Sequence, residues 1–271
     1  SMGGVVSLFK GYDAGYKGLI PPYVVLTQPQ GRFSEAGFLG VRHKPFCTGG
    51  NPADFKFAVE GIVTPGVSDE QQLRRRELLK AMNSLRALAK ADDHMVAAAD
   101  AEKQAYDLIL GDAGKVFDLA QEKDEVRLKY GRGSFGQACL AARRLVESGV
   151  RYVTVNSPGI GWDTHKDHFP LMRQFLPQLD KALSSLINDL AQKGLLDSTI
   201  VWCCGEFGRT SKIAMESPWN GGRHHWGHVF SALVAGGGFK GGRVVGSSDS
   251  KAEYPKDRPV HPADLMGSMY E

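Results

Sequence analysis

The sequence predicts an α/β protein with a mainly parallel sheet and an added helical segment. Three observations carry this. From residue 134 onward compact β-branched runs alternate with amphipathic stretches at helical spacing, glycines punctuate the joins, and metal-capable side chains gather in the loops behind the apolar runs. In sheets of that kind ligands bind beyond the carboxyl ends of the strands, which marks those loops as the functional edge.

Taken in order, residues 1–66 are rich in Gly, Pro and aromatics, with runs such as "YVVLTQ" and "FAVEGIV". They read as loops and short strands without a long helical period. "SDEQQLRRRELLKAMNSLRALAKA" (68–91), with Ser68 as N-cap, and "HMVAAADAEKQAYDLIL" (94–110) read as two helices of an insertion or subdomain spanning 68–111. "SFGQACLAARRLVESG" reads as a helix closed by Gly149, and "VRYVTVNS" as a compact strand. A long amphipathic helix, "FPLMRQFLPQLDKALSSLINDLAQKG", ends at Gly194, and "STIVWCC" follows as a buried-type strand. "VFSALVAGG" and "RVVG" read as further strands and "PADLMGSMY" as a last helix. The whole, 1–271, is expected to be one domain. Neither "SMGGVVSLFK" nor "HPADLMGSMYE" reads as a natural terminus, so the chain is expected to be a fragment of a longer protein.

Composition excludes several classes. The 271 residues are 42% hydrophobic and 23% charged, ordinary for a globular protein, and a net charge of +3 gives no footprint for nucleic acid. The longest basic run is "RRR" at 74–76, and no apolar stretch approaches the roughly 20 residues of a membrane span. Four cysteines, two of them adjacent at 203 and 204, form no disulfide framework and read as buried thiols.

The chemistry concentrates in three segments. "GWDTHKDHFP" carries Asp163 and His165, "CCGEFGRT" carries Glu206, and "GGRHHWGH" carries His224, His225 and His228; five of the eight histidines lie between 165 and 228. Imidazole nitrogen and carboxylate oxygen arriving from separate loops are what a divalent metal site requires. Asp163 and His165, two apart on an extended segment, would point to one side and chelate one ion. Glu206, behind a buried-type strand, would need a cation or a hydrogen-bond network to stay ionised. Arg209 and Arg223 flank the group as a guanidinium grip for a tetrahedral oxyanion. The plainer alternatives are a structural pair between Glu206 and Arg209 or Arg223, an Asp capping the helix near Phe169, and a surface loop stacked on Trp226. "AGGGFKGG" lacks the Lys-Ser/Thr ending of a nucleotide loop, and no nucleophile elbow surrounds Thr210 or Ser211.

"ARRLVESGVRYVTV", "GWDTH", "DLAQKGLLDSTIVW", "GEFGRT", "GRHHW", "AGGGFKGGRVVGSSD" and "DRPVHPADL", in this order, resemble the bacterial family catalogued as domain of unknown function 1501, which is similar to the sulfatase and alkaline phosphatase superfamily. The resemblance implies a three-layer α/β/α sandwich, alkaline phosphatase-like, with divalent metal (Zn, Ca, Mg or Mn) at the strand ends. It implies Asp163, His165 and His225 as ligands of one metal and Glu206 at the place of a second-metal ligand; Arg209, Arg223 and His224 are expected to bind substrate. Phe207 stands where the superfamily has a second-metal His, and His224 where the family more often has Asp. It places the nucleophile upstream of this chain, in proteins that often begin with an export leader, and so implies export to the periplasm or cell envelope. The expected function is metal-dependent hydrolysis of sulfate or phosphate esters on a small molecule or polysaccharide. The alternative is a non-catalytic module of the same fold that binds sulfated polysaccharide or the cell envelope.

Overall fold

The computed structural model describes residues 1–31, 34–54, 113–156 and 161–271, together with 57, 59, 68, 70–71, 74 and 77–78. The chain is mixed α/β and divides into two compact units, Ser1–Ser157 and Pro158–Glu271. Most of the expected helical insertion at 68–111, and the strand expected in "FAVEGIV", lie outside the described residues. At the start of the insertion the N-cap is present. Ser68 Oγ accepts from the Gln71 N–H at 3.2 Å, and Gln71 Oε1 accepts from the Ser68 N–H at 3.0 Å.

The first unit is organised by a three-stranded parallel sheet in the order β2-β1-β3, with β1 at Tyr23–Leu26, β2 at Phe46–Cys47 and β3 at Tyr152–Val155. Val24 pairs with Phe46 on one side and with Val153 on the other. A central parallel strand is covered on both faces, which is why all four β1 residues are apolar and buried. Against the sheet lies helix α1, Met2–Lys10, where the sequence pattern reads as loops and short strands. Two glycines mask its period. The Ser1 hydroxyl starts it by accepting from the Gly4 N–H at 3.2 Å.

Two short helices, α2 (Ala113–Phe117) and α3 (Asp124–Tyr130), precede the expected helix α4, Ser134–Glu147. Gly149 at φ 90° turns the chain from α4 into β3. The buried amide of Gln137 ties α4 to α3. Its nitrogen donates to the Arg127 and Gly131 carbonyls at 3.0 and 2.8 Å, and its oxygen accepts from Arg127 Nε at 2.7 Å. A second tie is ionic. Glu122 receives the guanidiniums of Arg143 and Arg144 at 2.8 and 2.7 Å, and Arg143 also holds Glu147 at 2.8 Å. Burial pushes the Glu122 carboxyl upward, but the two hydrogen bonds and two charges outweigh it and leave the group below its ordinary range.

The second unit contains the long helix α5, His168–Gln192, which carries Pro177 in its interior and ends before Gly194 as its sequence predicts. The strands expected in "STIVWCC" and "VFSALVAGG" form as β4 (Val201–Cys204) and β7 (Ala232–Ala235). Their pairing differs from the expectation of parallel strands. They make a two-stranded antiparallel ladder, with Val201 opposite Ala235 and Cys204 opposite Ala232. A parallel return needs a crossover, usually helical. Residues 205–231 instead fold as a hairpin arm and bring the chain back antiparallel. β4 is alternately half-buried and exposed rather than buried, and Cys204 is exposed while Cys139 in α4 is buried.

Inside the arm, β5 (Gly208–Arg209) pairs with β6 (His225–Trp226). "RVVG" forms no strand; the short strand β8 follows it at Ser247–Ser248 and pairs with β9, Pro255–Asp257. The final helix, α6, occupies Pro262–Tyr270, its His261 cap completed by Asp264. No helix among the described residues is long and apolar enough to cross a membrane.

Candidate metal centre

Every candidate ligand belongs to the second unit. Residues 162–165 fold through consecutive short-range hydrogen bonds, Thr164 N to Trp162 O and His165 N to Asp163 O, both 3.0 Å. These turns, rather than an extended segment, swing the Asp163 and His165 side chains together. Thr164, between them, is buried. Its carbonyl accepts from the Arg223 N–H at 3.0 Å and its hydroxyl meets His168 Nδ1 at 2.6 Å. Burial, with the nearby charges of Arg223 and Arg209, lowers the pKa of His168 and favours its neutral imidazole.

The hairpin arm supplies the third candidate ligand by register. Arg209 stands directly opposite His225 in the β5–β6 ladder, so their side chains share a face. The arm also crosses the Asp163–His165 loop at close range. A Cβ on Gly222 would fall inside van der Waals contact of the His165 carbonyl and 2.8 Å from Lys166 N. Gly208 admits the Val229 and Trp226 carbonyls in the same way. Arg223 secures the crossing. Its Nε donates to Thr210 O at 2.6 Å and its Nη2 to Arg209 O at 3.2 Å.

Three donor atoms meet as a result. His165 Nε2 lies 3.1 Å from Asp163 Oδ1 and 3.0 Å from His225 Nε2, and His225 Nε2 lies 3.2 Å from the same Oδ1. The group is therefore an almost equilateral triangle of two imidazole nitrogens and one carboxylate oxygen, able to hold a metal ion. His165 Nδ1 faces His224 Nδ1 at 2.9 Å, so His224 braces the His165 ring from behind. The Trp219 ring stands edge-on to His224, with centroids 4.8 Å apart. Arg209 Nη2 reaches Asp163 Oδ1 at 2.5 Å. That hydrogen bond, above all, holds the Asp163 carboxyl below the usual carboxylate range, against a weaker opposing effect of burial.

The remaining candidates fall elsewhere. Glu206 is 65% exposed, stands outside the triangle, and meets Arg209 at 3.7 Å, the structural pairing the sequence offered as an alternative. Arg223 spends its donors on backbone carbonyls. His228 stacks in a ring cluster with Trp226 and Tyr254. Phe207 packs its ring 4.5 Å from that of His225 and lies under the Arg209 guanidinium at 5.9 Å. The Arg209–Asp163 pair and the bracing role of Thr164 escape a reading of the sequence. Their only advance signal is the possibility of pairing "GR" with "HW".

Fold and site together define a mixed α/β protein with a two-histidine, one-aspartate cluster on a hairpin arm and its facing loop. The model of the family described as protein of unknown function (DUF1501) matches residues 1–271, and the chain belongs to that family. No curated protein and no solved structure matches it.

Proposed function

We propose that this unit carries the metal centre of a hydrolase acting on sulfate or phosphate esters, with Asp163, His165 and His225 as ligands. The observation that supports it is the donor triangle with edges of 3.0–3.2 Å. Ligands about 2.0–2.2 Å from a tetrahedral zinc lie roughly 3.3–3.6 Å from one another, so these three stand within a few tenths of an ångström of one face of such a shell. Two imidazoles and one carboxylate favour zinc over calcium, magnesium or manganese, which suit oxygen ligands. A bound divalent ion would supply Lewis-acid polarisation of a sulfuryl or phosphoryl oxygen. The chain's own groups do the rest: His224 fixes the His165 ring, Arg209 offers a guanidinium to an oxyanion, and Arg223 holds the Arg209 backbone. The resemblance to the alkaline phosphatase-like superfamily, and its three-layer sandwich, belong to this reading.

The test is metal analysis of the purified protein and of His165→Ala, followed by arylsulfatase and phosphatase assays on the longest available form. The reading expects about one transition ion per chain, lost in the variant. Equal, negligible metal in both overturns it. A second reading, a binding module for sulfated polysaccharide or the cell envelope, draws on Phe207, which packs against His225 where a further ligand would stand. Metal retention without hydrolysis, together with binding of sulfated polysaccharide, favours that reading.

A further inference from the structure

We propose that Arg209 couples the two ligands of this centre, so that a divalent cation and a tetrahedral oxyanion each bind more tightly in the presence of the other. The inference rests on the metal reading of the same site and adds a regulation to it.

Asp163 Oδ1 is approached by His165 Nε2, by His225 Nε2 and, most closely, by Arg209 Nη2 at 2.5 Å. A cation seated on the triangle needs the same oxygen, and it brings its charge to within a few ångströms of the guanidinium. The guanidinium has little room to leave. Its Cβ is fixed opposite His225 by the ladder, its backbone carbonyl is held by Arg223, its charged end lies across Phe207, and its side chain is only 15% exposed.

Nor does Arg209 have a better partner waiting. Glu206 approaches Nη2 at a loose 3.7 Å, and Nη1 is buried without a hydrogen-bond partner among the described residues. A cation alone would thus set two positive groups within a few ångströms of each other around a single carboxylate oxygen, where they repel. A sulfate or phosphate group changes the balance. It presents several oxygens, enough to touch the cation with one while the planar fork of Arg209 takes two others, giving Nη1 a partner as well. Linkage then requires the reciprocal effect on anion affinity.

The test is calorimetric titration of zinc into the protein in sulfate and in chloride at matched ionic strength, so that general screening is the same in both. The expected result is a zinc dissociation constant about tenfold lower in sulfate, within the usual range of coupling between sites. Arg209→Gln should bind zinc more tightly than the unaltered protein in chloride and should lose the sulfate effect. Arg209→Lys, which keeps the charge but not the fork, should keep the weak zinc binding in chloride and lose most of the sulfate response. Zinc binding that is the same in sulfate and chloride overturns the coupling while leaving the metal centre standing; this comparison needs no variant to fold. Absence of zinc binding in every form overturns the metal reading and the coupling with it. Loss of zinc in Asp163→Asn, with coupling intact in the unaltered protein, supports both.

Discussion

Replacing Gly222 by alanine probes the close crossing on which the centre's geometry depends. The added Cβ would stand 2.8 Å from Lys166 N and closer still to the His165 carbonyl. These neighbours are backbone atoms, so no flexible side chain can turn aside. Relieving the Lys166 nitrogen alone, to an ordinary contact of about 3.5 Å, requires the Asp163–His165 loop and the arm to part by about 0.7 Å, and the carbonyl demands more. Metal ligands tolerate about 0.2 Å, and a supported site about 0.5 Å, before function falls away. The variant should therefore lose roughly 100-fold or more in zinc affinity, at the upper end of what disturbing a ligand's support costs. The assay is competition for zinc against a chromophoric chelator, with circular dichroism to verify that the fold persists. Gly227→Ala is the control: its Cβ meets nothing within 4 Å, and its zinc affinity should stay unchanged. A folded Gly222→Ala protein with undiminished zinc affinity would refute the reasoning.

Other predictions concern the ionic tie of the first unit. Arg143→Ala removes a guanidinium whose side chain is 3% exposed, while Glu122 keeps Arg144 and Glu147 is partly exposed, and should lower stability to chemical denaturation by about 1–3 kcal/mol; a loss below about 0.5 kcal/mol would contradict a stabilising tie. The same tie sets a pH dependence. Because the folded Glu122 pKa lies below its ordinary value of 4.5, its contribution is fully present above that value and disappears as pH falls through the lowered one. Denaturation midpoints should drop across that acidic window, and Glu122→Gln should show a lower plateau with a smaller drop.

How much of this was legible in the sequence depends on the length scale of the signal. Local periodicity was enough for α4 and α5, because each buries one face; the β-branched run gave the half-buried β3, and the His261 cap with Pro262 gave α6, which buries no residue. Helix α1 was hidden because Gly3 and Gly4 carry no periodic signal. Both are buried, and a Cβ on Gly3 would meet the Tyr23 ring at 2.7 Å or less, so packing against β1 sets that choice. The antiparallel pairing of β4 with β7 depends on how the intervening arm folds, which strand composition does not encode. At the site, residue type pointed to Asp163, His165 and His225, whose donor atoms the fold brings together. Residue type also suggested Glu206, yet distance decides ligation, and distance follows from the Arg209–His225 register and the Gly222 crossing.

The central claim is that Asp163, His165 and His225 together hold one divalent ion. Anomalous diffraction from zinc-soaked crystals, recorded at the zinc absorption edge, addresses it most directly. The account predicts a single strong peak about 2.0–2.2 Å from an Asp163 oxygen and from Nε2 of His165 and His225. A fully soaked crystal with no peak between these three side chains, or with the ion on other residues, would contradict it.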